Sequence, residues 1–231
     1  MKRIIAFYLI VCLTAVCAAW LYAKTRPAQE TLAVGSGVPT VVLDAGHGGE
    51  DGGAVTATGV YESSLNLQIA LRLNDFLHLL GIPTRMVRTE DISVSTEGET
   101  VAQRKSSDLR NRAALVESVP GCLLVSIHQN RFEQTQYRGA QVFFRADAAS
   151  QELAQALQEQ LCRQLDPDNH RQSKQASGVY LLEHVSRPAV LIECGFLSNP
   201  AEALLLQQEA YQRKLSAVIG CTIFQALGEP A

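Results

Sequence analysis

Two histidines and two glutamates, His47, Glu62, His128 and Glu193, are the residue types of a hydrolytic metal centre. His47 closes the apolar run Val41-Val-Leu-Asp-Ala-Gly-His47 and is followed by Gly48 and Gly49. His128 closes a second apolar run, Glu62 opens a helical pattern, and Glu193 follows Ala189-Val-Leu-Ile192. Two neutral imidazoles and one carboxylate make a nitrogen and oxygen donor set that suits Zn²⁺ and leaves a fourth position for water. A metal so held lowers the pKa of water and polarises a carbonyl. Amide hydrolysis also needs a group that carries the proton to the leaving nitrogen, and a carboxylate does this. Glu193 fits, because a carboxylate in so apolar a strand is costly without a metal or a partner.

Rival readings stand beside this one. A histidine at a strand end can be a hydrogen-bonded structural residue, and Glu193 can serve a structural ion pair with an arginine. A Cys-His hydrolase would use Cys194, but side chains alternate across a strand, so Cys194 faces away from Glu193. His78 reads as a solvated or core-edge residue, His170 as part of a polar loop, and His184, near Arg187, as part of the lead-in to the Glu193 strand, with substrate contact as the lesser alternative.

The elements that must bring these residues together alternate along the chain. Residues 40–45 form a continuous apolar strand of the kind covered on both faces. Residues 62–80 carry Leu65, Ile69, Leu73, Phe76, Leu77 and Leu80 at spacings of three and four before Gly81, the pattern of an amphipathic helix. Further strands are predicted at 83–88, 121–127, 140–144, 179–182 and 188–194. Helices are predicted at 108–117, behind a serine cap, and at 149–165. Residues 89–107 and 166–177 are predicted as loops. Asn199-Pro200 with Glu202 announces a last helix, running to Leu227 with a break near Gln208. Together these predict an α/β three-layer sandwich with a mostly parallel central sheet of about six strands flanked by helices. His47 and His128 then lie at the carboxyl ends of strands, where open α/β sheets gather functional groups.

A chain of 231 residues with a formal charge of -3 and a pI near 6.0 has room for one such domain and offers no basic footprint for nucleic acid. Residues 4–23 are an uncharged apolar run behind Lys2 and Arg3. It is long enough to span a bilayer, with its N-terminus retained inside. Residues 1–24 are therefore expected to be a signal anchor, or a signal peptide if cleaved, with 25–38 a linker and 39–231 the catalytic domain. Either reading places that domain outside the cytoplasm. Cys122, Cys162, Cys194 and Cys221 lack the close pairing of a zinc ribbon or redox motif and read as small buried residues.

Five blocks, Leu43-Asp-Ala-Gly-His-Gly-Gly49, Tyr61-Glu-Ser-Ser-Leu-Asn66, Ser107-Asp-Leu-Arg-Asn-Arg112, Ser126-Ile-His-Gln-Asn130 and Ile192-Glu-Cys-Gly-Phe-Leu-Ser-Asn199, occur in the order seen in a known family. In these the chain resembles the zinc-dependent N-acetylmuramoyl-L-alanine amidases of the type-3 group, over roughly residues 40–227. The resemblance implies that His47, Glu62 and His128 bind one Zn²⁺ and that Glu193 is the catalytic carboxylate. It implies peptidoglycan as substrate, cut at the amide between N-acetylmuramic acid and L-alanine. It also brings in an activating protein partner, since some relatives are inactive alone. The short architecture is similar to the sporulation amidases that process spore cortex; a general autolysin or a catalytically inactive wall-binding module is the alternative. Asn130 and Arg112 are the candidate substrate contacts; the other readings are a loop-turn role for Asn130 and, for Arg110 and Arg112, stabilisation of the fold through their helix. Gln129 and Arg131 replace the small residue and alanine usual in the family, which implies a differently shaped groove wall beside the metal.

Overall fold

The computed structural model describes residues 37–228. The expected anchor over 1–24 and nearly all of the 25–38 linker lie outside the described residues. Among the described residues, no helix is long and apolar enough to cross a membrane.

Six strands form one sheet: β1 (Val41–Ala45), β2 (Thr84–Met86), β3 (Leu123–Asn130), β4 (Gln141–Phe144), β5 (Lys174–Gln175) and β6 (Ala189–Phe196). Their order is β2-β1-β3-β6-β4-β5. The first four in that order run parallel, while β4 pairs antiparallel with β6 and parallel with β5. Among the described residues, six helices surround the sheet: α1 (Glu62–Leu79), α2 (Val101–Glu117), α3 (Ala148–Leu165), α4 (Tyr180–His184), α5 (Pro200–Leu206) and α6 (Glu209–Leu227).

Strand alternation divides the core in two. Val41, Leu43, Val125, Ile127, Val190 and Ile192 face α1, α3 and α6, where Leu65, Ile69, Leu157, Leu161, Leu215 and Ile219 are buried. Val42, Leu124, Ala189 and Leu191 face the opposite layer, against Ala113 and Val116 of α2 and Leu181 and Leu182 of α4. This is the expected three-layer sandwich, and its central strands are apolar on both sides.

The structure departs from the expected elements in three places. Residues 101–107, predicted as loop, are the first two turns of α2. Its true start is a capping box: the Thr100 hydroxyl accepts from the Gln103 amide, and the Gln103 side chain accepts from the Thr100 amide. Those turns are largely exposed and polar, so no apolar period marks them. Residues 179–182, predicted as a strand, begin α4. Leu181 and Leu182 are both buried on the same layer, which adjacent residues of a strand cannot achieve. The short β5 lies inside the predicted 166–177 loop. By contrast, the break near Gln208 is present, between α5 and α6. The four described cysteines are free thiols; Cys122 and Cys194 are buried as expected, but Cys221 is exposed.

Thr100→Ala should destabilise the protein by about 1 kcal/mol, the usual worth of an N-cap side chain. Urea unfolding would read this as a lower midpoint at constant slope.

Candidate active site

The site begins where β1 stops. The Gly46 amide still donates to the Ile127 carbonyl at 3.0 Å, but His47 turns out of the sheet with φ 61°, a left-handed conformation unusual for a side-chain-bearing residue. Two buried arginines hold the turn. Arg88 donates to the carbonyls of Ala45 (2.8 Å), Gly46 (3.1 Å) and Ser63 (2.8 Å). Arg112 donates to the carbonyls of Ala45 (3.0 Å) and His47 (2.7 Å), and its charge is met by Asp44 and Asp108. Burial alone would raise the Asp44 carboxyl, but Arg112 and the Ser126 hydroxyl hold it below the usual carboxylate range.

Glu62 sits at the first position of α1, and its carboxylate lies between the imidazoles. His47 Nε2 stands 3.3 Å from Glu62 Oε1, and His128 Nδ1 stands 3.1 Å from the same oxygen. The three donor atoms fall within 4.8 Å of one another. The rings meet edge to face with centroids 4.9 Å apart. Two ligands, each about 2.0–2.1 Å from a tetrahedral zinc, stand roughly 3.3 Å apart, so these separations and this donor chemistry fit that ion. Glycine is required in two places. A Cβ on Gly46 would come 2.1 Å from His128 Nε2, and one on Gly53, whose φ is 68°, would come 2.6 Å from Glu62 Oε2. The space at Gly46 is therefore filled by the His128 ring.

Each of these side chains is oriented by others. The Asp51 carboxylate lies 3.0 Å from His47 Nδ1 and is itself paired with Lys105 at 3.0 Å, which leaves Nε2 facing Glu62. The Ala54 amide donates to Glu62 Oε2 (2.9 Å); the Gln129 amide (3.0 Å) and Asn66 Nδ2 (3.3 Å) donate to Oε1. Burial opposes ionisation of Glu62, but His128 and His47 hold its pKa far below the usual range. Burial would likewise lower the His47 pKa, and Glu62 and Asp51 raise it instead.

Glu193 differs in kind. The β3–β6 register sets it beside His128 on the adjacent strand, on the same face of the sheet. Its Oε2 is shielded from solvent and has no hydrogen-bond partner. Burial, with a smaller push from Glu62 against the pull of His128 and His47, raises its pKa to about 7. Among the described residues it makes no ion pair, which removes the structural arginine reading. Cys194 faces the other layer and its thiol is pushed well up by burial, so it is no nucleophile.

The sequence-predicted substrate contacts are placed differently. Arg112 is 2% exposed and spends its donors on Asp44, Asp108 and the Ala45 and His47 carbonyls, so it positions the His47 turn, in line with the fold-stabilising reading of its helix. Gln129, expected in the groove wall, is buried behind Glu62, where its Nε2 donates to Asn66 Oδ1 at 3.1 Å. Asn130 is half-buried beside the irregularity in the β3–β6 pairing, and its carbonyl accepts from the Leu197 amide. Arg131 is exposed. His184 stacks on Tyr180 of its own helix at 3.8 Å and bonds the Tyr180 carbonyl. His78 pairs with the Thr84 hydroxyl, and His170 is exposed. The sequence reading missed Asp51, Asn66 and Arg88. Asp51 at four residues past His47 and Asn66 at four past Glu62, on the buried side of an amphipathic helix, were the available signals.

Sheet, donor triad and uncompensated carboxylate together have the form of a metallohydrolase. The chain belongs to the N-acetylmuramoyl-L-alanine amidase family, whose model matches residues 41–224. It is 39% identical over 181 residues to the germination-specific N-acetylmuramoyl-L-alanine amidase of Bacillus subtilis, covering 78% of this chain and 76% of that one. Among solved structures, it resembles the CwlD amidase of Clostridioides difficile in complex with the GerS lipoprotein, with a TM-score of 0.79 and 39% identity over 82% of this chain and 98% of that one. A second, the N-acetylmuramoyl-L-alanine amidase of Clostridium difficile 630, gives a TM-score of 0.70 and 33% identity over 81% and 96% of the two chains.

Removing Asp44 strands the buried Arg112 charge, so Asp44→Ala should cost about 3–5 kcal/mol of stability. Denaturant unfolding against wild type would measure it. Glu193 gives a pH-dependent signature. A carboxyl whose folded pKa is raised binds more protons when folded, so its contribution falls as pH rises from its ordinary 4.5 to about 7. Metal-free wild type should therefore lose stability relative to Glu193→Gln across that window; parallel melting curves for the two would contradict the assignment.

Proposed function

We propose that this chain is a zinc-dependent peptidoglycan hydrolase that cleaves the amide between the lactyl group of N-acetylmuramic acid and L-alanine. The observation that carries this reading is the pairing of the His47, Glu62 and His128 triad with Glu193, which has a pKa near 7 and no partner, on the neighbouring strand. His47, Glu62 and His128 would hold the ion. When bound, zinc supplies a Lewis acid that polarises the amide carbonyl and makes water more acidic.

The proton work falls to Glu193. As a carboxylate it accepts a proton from the attacking water while the water oxygen bonds to the lactyl carbonyl carbon. As a carboxylic acid it returns that proton to the alanine nitrogen as the C–N bond breaks. The products are a lactyl carboxylate and a stem peptide with a free L-alanine amine. A pKa near operating pH suits one group to both transfers. Glu62 cannot share this task, because its oxygens are occupied by three donors and two imidazoles.

The biological setting follows from the relatives. The Bacillus subtilis protein is germination-specific by name, and the Clostridioides difficile amidase is in complex with a lipoprotein. These support a role in spore cortex maturation and a protein partner for this chain too. The N-terminal apolar run supports action outside the cytoplasm with the domain held at the membrane.

Purified protein, alone and with its partner, should bind about one zinc per chain. It should release peptide with a new L-alanine amino terminus, detected by mass spectrometry. Intact lactyl amides with cleavage elsewhere would sink the proposal. Glu193→Gln should keep the metal and lose about 10²–10⁴-fold in turnover, the usual worth of a positioned acid–base group. Digestion of vegetative wall in preference to cortex would replace the spore role with that of a general autolysin.

A further inference from the structure

Two large aromatic side chains stand in solvent just past the end of β3, with Phe132 53% and Tyr137 42% exposed. They are not loosely held. The Phe132 ring lies 5.3 Å from that of Tyr137 and 5.9 Å from the buried ring of Phe196, which also lies 6.3 Å from Tyr137. The Phe132 amide donates to the Ser198 hydroxyl at 3.1 Å, and Asn199 Nδ2 donates to the Tyr137 carbonyl at 3.3 Å. The Arg171 guanidinium sits 4.7 Å from the Phe196 ring centre. Exposed rings fixed in this way offer apolar area with little ordering left to do on binding.

Phe132 also lines a groove of about 570 Å³, together with Val55, Thr56, Leu197 and Ser198. That volume lies within the range of small-molecule sites, about 300–1,000 Å³. Two stretches of this lining lie close in sequence to groups bonded to Glu62. Ala54, next to Val55, donates to Glu62 Oε2, and Gln129, two residues before Arg131, donates to Glu62 Oε1. Around the ring the groove carries one charge of each sign, Arg131 and Glu133, together with hydroxyl groups. A lining of balanced charge suits a neutral ligand better than an anion. A pyranose is such a ligand: its C–H face is apolar, and its rim of hydroxyls and acetamides takes donors and acceptors.

We propose that Phe132 and Tyr137 form a stacking platform for a sugar ring of the glycan strand, so that the protein grips the polysaccharide beside the amide it cuts. The proposal deepens the amidase reading and rests on it for the identity of the glycan. The full chain carrying Glu193→Gln should bind oligosaccharides of N-acetylglucosamine, the neutral sugar of the glycan, in equilibrium titration. Adding Phe132→Ala or Tyr137→Ala should weaken that binding about tenfold, whereas Phe132→Trp retains it. Leu79→Ala, which removes an exposed apolar side chain at the end of α1, should leave it unchanged. In the active protein, Phe132→Ala should raise KM on polymeric peptidoglycan while kcat stays within about twofold. Glycan binding that ignores both aromatic substitutions, or a loss in kcat with KM unchanged, would overturn the platform. Lost affinity for a protein partner with glycan binding intact would do so as well. Because these oligosaccharides contain no lactyl amide, a failure of the amidase reading leaves the binding result standing, and the two are separable.

Discussion

The structure depends most on how β1 is ended. A strand in mid-sheet that stops abruptly leaves carbonyls without ladder partners in a water-poor place, and such groups are costly unless bonded. Here the carbonyls of Ala45, Gly46 and His47 are taken by Arg88, Arg112 and Asn66. A guanidinium suits this because its five donors lie in a rigid plane, whereas an ammonium offers three on a flexible stem. The two cations stand close enough for Arg112 to add to the burial that pushes the Arg88 pKa down. Asp44 and Asp108 offset this around Arg112. Buried ion pairs contribute little net stability. Their use here is positional: they hold His47 in a backbone conformation it would not choose, with its ring aimed at Glu62.

From that fixed turn, the two carboxylates acquire opposite characters. Glu62 is over-determined, with two backbone amides and an asparagine holding an ionised group that needs no reorganisation to act as a ligand. Glu193, on the adjoining strand, has no hydrogen bond on its shielded oxygen, and burial raises its pKa to about 7. One cleft thus contains a carboxylate held below the usual range and another pushed above it.

Much of this was legible before any coordinates. The runs at β1, β3 and β6 are apolar on both faces, the period of α1 is regular, and His47, Glu62, His128 and Glu193 stand at or near element ends where polar residues break those patterns. What escaped has a common cause. Gln129 and Arg88 are long polar residues whose burial depends on partners far along the chain, so local pattern marks them as surface. The start of α2 escaped because its first turns face solvent, and α4 because five residues are too few to establish a period.

The reversal of β4 was open to inference and shapes the mouth of the cleft. Parallel neighbours need a crossover of a dozen or more residues, usually a helix. The segment between Asn130 and Gln141 has no helical pattern and is too short to return the chain across the sheet, so β4 must run back from the end where β3 finished. A crossover would have carried those residues to the far edge. The antiparallel return keeps them beside the carboxyl ends of β3 and β6, the strands that carry His128 and Glu193. It also brings Phe132 and Tyr137 onto Phe196, the last residue of the strand that carries Glu193. The reversed strand β4, with β5 parallel beside it, is therefore what gives the end of the sheet that holds the His47, Glu62 and His128 cluster an aromatic wall.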